Sequence, residues 1–341
     1  MKNELRQDPL THRWVIIAKG RATRPHEIVK KEDKSATKKQ KFCPFDKGHE
    51  KLSGREVFRL SDDQDWQVRS ILNKSPYFNP PSEKDTGLIT RGVIFSYMAP
   101  IGTAEVFIET PNHYEDLVFM EKTELEAVIE GYKNRYTELA PRYEEVLIFR
   151  NHGYLAGQSL THPHSQITAM CEKSPETEEE EKRIIDFYKK NKFCLLGHME
   201  KIERIRKKRL IAQNKLFIAI CPWASFSPYE ILIIPKTHNP NISYLSAEEI
   251  SEFASILQEI LRKLYMHLSN PDYNYFIRNY ENKGLLKKAG HWYLKIMPRL
   301  TIPGGYEASS GSFINVIPPE LATEELVKIN TNKNKWKPKK N

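Results

Sequence analysis

The run Asn151-His-Gly-Tyr-Leu-Ala-Gly-Gln-Ser-Leu-Thr-His-Pro-His-Ser-Gln166 concentrates residue types that do chemistry. Pro163 fixes its own φ and turns His162 away from helical geometry, which predicts an extended segment over residues 162–166. Alternation along that segment places His162, His164 and Gln166 on one face, where they suit a metal or a phosphate. Upstream, Gly153 and Gly157 permit a loop whose N–H groups, with the Ser159 hydroxyl, can approach phosphate oxygens. Two histidines in a strand also serve as a satisfied polar pair in a half-buried sheet. The neighbouring loop favours a site, because converging polar groups mark one.

The elements that must hold this run occur twice. Glu105-Val-Phe-Ile-Glu-Thr-Pro-Asn-His113 and Glu230-Ile-Leu-Ile-Ile-Pro-Lys-Thr-His238 both read as a strand led by Glu, then a Pro break and a His. A capping box follows each, Thr123 to Glu126 and Ser246 to Glu249, opening an amphipathic helix. The second stripe is Ile250, Phe253, Ile256, Leu257, Ile260, Leu261 and Leu264. Each half continues into a β-rich segment and closes on a strand with histidine, at His162-Pro-His164 and at His291-Trp-Tyr293. This repeat predicts an α+β fold of two similar units, an antiparallel sheet with long helices on one face. The expected division is residues 1–190 and 191–341.

Composition sets bounds. The chain has 341 residues, 39% hydrophobic and 28% charged, which excludes a disordered chain. No run nears the roughly 18 apolar residues of a membrane span, and the N-terminus lacks a signal-peptide apolar region, so no membrane partner and a cytoplasmic location are expected. Four scattered cysteines make no disulfide framework. The formal charge of +9 sits largely in residues 30–41, 201–209 and 333–340, opposed by the acidic run 176–181. These basic runs are nearly free of the interleaved aromatics that nucleic-acid binding uses, so no nucleic acid is expected. A modest positive field suits a phosphorylated small molecule.

The run 151–166 resembles the active-site segment of the galactose-1-phosphate uridylyltransferase family, a branch of the histidine-triad superfamily, with its Gly-x-Ser-x-x-His-Pro-His-x-Gln pattern. The likeness extends over nearly the whole chain. It includes Arg6-Gln-Asp-Pro-Leu-Thr-His-Arg-Trp-Val15, Arg21-Ala-Thr-Arg-Pro25, Val68-Arg-Ser-Ile-Leu-Asn-Lys74, Cys43-Pro-Phe-Asp46 and Gly304-Gly-Tyr-Glu307.

The resemblance implies that His164 attacks the α-phosphorus of a nucleoside diphosphate sugar, forming a covalent nucleotidyl-histidine. The main-chain carbonyl of His162 orients its ring, and Gln166 stabilises the transferred phosphoryl group. Ser159 and Arg24 assist the departing sugar phosphate. Asn73, Asn151, Gly157, Tyr306 and Glu307 are further expected substrate contacts. For Arg24 and Asn73 a surface or turn role competes with this one. Gln166, where related hydrolases carry a third histidine, favours transfer over hydrolysis.

The leading expectation is UMP transfer from UDP-glucose to galactose 1-phosphate, a hexose 1-phosphate, with ping-pong kinetics. An adenylyl-transferring relative, such as an ADP-glucose or dinucleoside polyphosphate phosphorylase, shares the same features, including His291-Trp-x-x-x-Ile-x-Pro-Arg299. A non-catalytic nucleotide-binding protein is the alternative from another class. The resemblance also implies a structural zinc held by Cys43, Asp46, His113 and His162, with Asp46 replacing a family cysteine and His49 as a substitute ligand. Packing without metal is the alternative. The family's second metal, on a Glu and three His, is not expected, because Tyr293 and Lys295 replace two of them. Dimerisation is the family habit.

Overall fold

The computed structural model describes residues 3–18, 42–62, 65–81, 90–91 and 94–331. Arg24 and the basic segments 30–41 and 333–340 lie outside the described residues.

The main sheet has ten strands. The first half contributes β1 (Glu56–Ser61), β2 (Trp66–Leu72), β3 (Gly102–Ile108), β4 (Glu145–His152) and β5 (His164–Met170). The second contributes β6 (Leu210–Gln213), β7 (Phe217–Ile220), β8 (Ile231–Pro235), β9 (Tyr273–Arg278) and β10 (Tyr293–Pro298). Their spatial order is β6-β7-β8-β10-β9-β4-β5-β3-β2-β1, all neighbours antiparallel. Read outward from the β4/β9 pair, the halves are the same path taken twice. A small sheet of Glu4–Gln7, Trp14–Ile17 and Phe313–Asn315 joins the two chain ends.

Four helices matter for the site: α1 (Lys122–Leu139), α2 (Pro175–Asn191), α3 (Leu195–Arg206) and α4 (Ala247–Leu268). The α4 capping box forms as expected, with Glu249 N donating to Ser246 Oγ and Ser246 N to Glu249 Oε2. Helix α1 starts earlier than expected. Glu121 is its N-cap, and Glu124 accepts from Glu121 N at 2.7 Å, because Lys122 and Thr123 already hold helical geometry. The α4 stripe is buried along its whole length against the sheet, each large side chain contributing roughly 1.5–3 kcal/mol.

Helices α1 and α4 share one face of the sheet, as the repeat predicts. Helices α2 and α3 pack on the opposite face of the second half, over Ile218, Ile220, Leu232 and Ile234. Strands β7 and β8 are therefore buried on both sides and read as continuous apolar runs. In the first half, the described residues on that second face are the loop around Cys43 and Phe45, packed on Trp66, Ile71 and Ile108.

The acidic run of α2 is solvated only in part: Glu176, Glu178 and Glu179 are exposed, whereas Glu180 and Glu181 are buried. Glu180 is 2% exposed; it accepts from Tyr280 and Tyr293 and pairs with Arg278 at 3.2 Å.

Register identifies equivalent positions. Phe149 faces Phe276 across the central pair, Phe149 also faces Gln166, and Phe276 faces Lys295. The two-fold relation through that pair exchanges Gln166 with Lys295 and His164 with Tyr293. Val106 faces Gln166 and Leu232 faces Lys295, so Val106 matches Leu232. Glu105 therefore matches Ile231, one residue away from the alignment on Glu230. With a side-chain period of two, that single step puts the glutamates on opposite faces. Glu105 pairs with Arg135 of α1, whereas Glu230 pairs with Lys295.

Candidate active site and metal cluster

His164, at the start of β5, is 6% exposed, and its Nδ1 lies 2.7 Å from the carbonyl of His162. A carbonyl only accepts, so Nδ1 carries the proton and Nε2 keeps a free lone pair. Burial pushes the His164 pKa down, against the His162 hydrogen bond that alone would raise it, so the ring stays neutral. Gln166 follows on the same face. Continuing the Phe149–Gln166 register places Asn151 across from His164.

The loop after β4 needs its glycines. Gly153 has φ of 86°, and a Cβ there would lie 2.1 Å from Asp272 Oδ1. Gly157 has φ of 84° with open space around it. Asp272 Oδ2 accepts from Leu155 N at 2.7 Å, and Gly153 N donates to Gln158 Oε1 at 2.6 Å. Ser159 follows, exposed at the loop's end.

Behind β5 lies a polar network that sequence reading missed. Ser165, adjacent to His164 and pointing to the helix side, donates to Glu109. Glu109 also accepts from Tyr132 at 3.1 Å and pairs with Arg150 at 3.0 Å. Arg150 reaches Tyr273 at 2.7 Å and Asp116 at 2.9 Å. The only signal was an ionisable residue on each of β4 and the β3 exit, within apolar strands.

Cys43, Asp46, His113 and His162 come together, with one donor atom of each within 4.8 Å of the others. Asp46 Oδ1 lies 2.7 Å from His113 Nδ1 and 3.1 Å from His162 Nδ1. Cys43 Sγ lies 3.8 Å from His162 Nδ1. The far nitrogens are also held, His162 Nε2 by Thr110 O at 2.8 Å and His113 Nε2 by Thr161 Oγ1 at 3.1 Å. Both rings thus aim Nδ1 inward with an outer hydrogen bond fixing them, as metal-ligating histidines do. A thiolate, a carboxylate and two imidazoles fit tetrahedral zinc. His49 is not in the cluster: its Nδ1 lies 2.7 Å from Cys43 O and its ring stacks on Phe42.

The second half repeats this corner. Cys194, His238 and His291 form a cluster on the same distance criterion. Cys194 Sγ is 3.8 Å from His291 Nδ1, and His291 Nε2 is 2.9 Å from Pro235 O. Gly197 occupies the fourth corner, where a Cβ would stand 3.3 Å from His291 Nδ1. Tyr293 and Lys295 take no part: Tyr293 donates to Glu180 at 2.8 Å, and Lys295 pairs with Glu230 at 3.1 Å. Cys194 was missed: it precedes His238 by 44 residues where Cys43 precedes His113 by 70, so the order of Cys, His and His repeats but the spacing does not.

Other expected contacts are separate. Asn73 Oδ1 accepts from Ser75 N at 2.9 Å, the turn role at the end of β2. Tyr306 and Glu307 line a cavity with Arg278, Tyr293 and Lys295, a lining that excludes His164, Gln166 and Ser159. Among the described residues no helix is long and apolar enough to cross a membrane.

A duplicated antiparallel sheet presenting a His-Pro-His-x-Gln strand beside a glycine and serine loop defines the class of fused histidine-triad-like proteins. The chain belongs to the galactose-1-phosphate uridyl transferase family: the family's N-terminal domain matches residues 1–172 and its C-terminal domain residues 177–276. It is similar to an ADP-glucose phosphorylase of Arabidopsis thaliana, 30% identical over 322 residues, 93% of this chain and 90% of that one. A galactose-1-phosphate uridylyltransferase of Thermotoga maritima is 27% identical over 335 residues, 95% and 97% of the two chains. The crystal structure of an ADP-glucose phosphorylase from Arabidopsis thaliana with bound ADP-glucose matches with a TM-score of 0.83 at 28% identity, covering 96% of this chain and all of that one. The chain is a nucleotidyltransferase of this family.

Proposed function

We propose that the protein transfers a nucleotidyl group from a nucleoside diphosphate glucose to a phosphate acceptor through a covalent intermediate on His164. The observation behind this reading is the His164 ring: buried, with Nδ1 held by the His162 carbonyl and Nε2 unprotonated. In the first half-reaction Nε2 bonds to the α-phosphorus and the bond from that phosphorus to the bridging oxygen breaks. The electron pair leaves on sugar 1-phosphate. In the second, an acceptor phosphate oxygen attacks the same phosphorus and the N–P bond breaks, returning its pair to Nε2.

Gln166 and the Gly157 to Ser159 loop supply neutral donors to the phosphoryl oxygens. Arg24, Asn73, Asn151, Tyr306 and Glu307 remain proposed substrate contacts. Zinc is the proposed ion for Cys43, Asp46, His113 and His162. When bound, it ties the 43–46 loop to the start of the nucleophile strand and does no chemistry on substrate. The chemistry belongs to residues 1–190, with residues 191–341 as the degenerate copy.

ADP-glucose is the proposed donor and inorganic phosphate the acceptor. The support is the 30% identity to a relative of that name across 93% of the chain. UDP-glucose with galactose 1-phosphate is the second reading, supported by the uridylyltransferase relatives. The test is incubation with α-phosphate-labelled ADP-glucose or UDP-glucose, looking for acid-labile, base-stable label on the protein. Label from ADP-glucose supports the first reading, and label from UDP-glucose alone reverses the order. No label from either, with nucleotide still bound, leaves a non-catalytic binding protein. The His164→Ala variant abolishes labelling; persistent label there refutes the nucleophile.

A further inference from the structure

The cavity that holds Tyr306, about 730 Å³, is lined by four cationic side chains. Three are neutralised: Arg13 by Glu176, Arg278 by Glu145 and Glu180, and Lys295 by Glu230. Arg299 has no carboxylate partner among the described residues. Its Nε donates to Asn274 Oδ1, so the guanidinium is fixed at one edge while the N–H groups of its two terminal nitrogens stay available to a ligand.

The anchor leads to the candidate active site. Asn274 faces Asn151 across the central strand pair, and its Nδ2 donates to Asn151 Oδ1 at 2.8 Å and to Ala156 O at 2.9 Å. The Arg299 main chain is latched to the same loop, since its N–H donates to Asp272 O at 2.7 Å and the Asp272 side chain holds Leu155 N. His164, Asn151 and Asn274 stand in one row on adjacent strands, which sets Asn274 about 10 Å from His164 at the usual strand spacing.

We propose that Arg299 is a substrate-binding residue whose guanidinium grips the phosphate group of the sugar 1-phosphate that leaves in the first half-reaction and of the acceptor that attacks in the second, and that Asn274 is its positioning residue. The inference rests on the nucleotidyl-transfer reading above. A phosphate monoester offers two oxygens to the planar fork of a guanidinium, a match that a lysine ammonium cannot reproduce. Because Asn274, which anchors Arg299, stands about 10 Å from His164, the guanidinium suits the acceptor phosphate better than the α-phosphorus, which must contact the imidazole itself. The second half, without a nucleophile, thus contributes a hand to the site of the first.

The experiment follows wild type, Arg299→Ala, Arg299→Lys and Asn274→Ala through both half-reactions, with inorganic phosphate and a hexose 1-phosphate as separate acceptors. Wild-type labelling of His164 tests the underlying reading; its failure with both donors removes that reading and this proposal together. Given wild-type label, the expected result is an acceptor KM raised about 10- to 100-fold in Arg299→Ala. Arg299→Lys should be less impaired and keep the fold, and added guanidinium ion should restore Arg299→Ala in part. Asn274→Ala should raise the acceptor KM while the end-point label on His164 persists. A raised KM for phosphate alone identifies inorganic phosphate as the bound group, and for the sugar phosphate alone, the hexose ester. Unchanged KM for both acceptors in Arg299→Ala and Arg299→Lys overturns the proposal.

Discussion

The His162 carbonyl holds His164 Nδ1 at 2.7 Å, while the His162 ring turns its own Nδ1 to Asp46 at 3.1 Å. One residue therefore both orients the His164 ring and belongs to the Cys43, Asp46, His113 and His162 cluster. Removing zinc should lower transfer rate and thermal midpoint together, and readding zinc should restore both. Asp46→Ala, with three donors left, should bind zinc at least about 100-fold more weakly, and Asp46→Cys more tightly than wild type. Competition with a chromophoric chelator measures this. An Asp46→Ala protein with wild-type zinc affinity would remove Asp46 from the ligand set.

The Glu109–Arg150 pair sits directly beneath β5, the strand of His164, with side chains 0% and 1% exposed. Removing one partner leaves a buried charge, so Glu109→Ala should cost about 3–5 kcal/mol. Urea unfolding of the variant at neutral pH gives the number. A loss below about 1 kcal/mol would mean that Arg150 is balanced without Glu109, by Asp116 alone.

Asp116 provides a pH prediction. Burial would raise its carboxyl pKa, but the Arg150 guanidinium and then His152 overcome this and hold it far below the usual carboxylate range. A depressed folded-state pKa gives stability that is present above the unfolded value, near 3.9, and is lost as pH falls below it. Wild type should therefore lose stability from about pH 4 downward more steeply than Asp116→Asn, which should be less stable at pH 7. Urea midpoints from pH 7 to pH 2 check it. Parallel curves for the two proteins would contradict the assignment.

The parts of this arrangement legible in the sequence are those governed by local rules. Pro163 and strand alternation put His164 and Gln166 on one face, and Ser246 with Glu249 marked the start of α4. Rules of register were harder. Glu105 and Glu230 look equivalent as letters, yet pairing to Gln166 and Lys295 separates them by one residue and one face. Glu180 reads as a solvated charge because its partners Tyr280, Tyr293 and Arg278 lie far away in sequence. Asn274 was missed because its contact with Asn151 forms only when the halves fold onto one sheet, and Cys194 because its partners His238 and His291 lie far along the chain.

Two glycines of the substrate loop should respond differently to one methyl group. Both have positive φ, but Gly157 is left-handed with ψ of 23°, where alanine costs roughly 1–2 kcal/mol, whereas Gly153 has ψ of 166°, a conformation open essentially to glycine alone. At Gly153 the new Cβ would also lie 2.1 Å from Asp272 Oδ1 and 2.3 Å from its Cγ. Asp272 cannot yield without releasing Leu155 N, which it holds at 2.7 Å, and with it the loop from Gly153 to Ser159. At Gly157 the nearest atom is Asn151 Nδ2 at 3.9 Å, an ordinary contact. Gly153→Ala should therefore lower kcat/KM about 100-fold, the scale of a 1 Å misplacement, and Gly157→Ala by about tenfold or less. Thermal unfolding alongside the kinetics separates loop displacement from global loss. Equal kinetic losses in the two variants would show that neither the Gly153 backbone nor the Asp272 latch sets the loop.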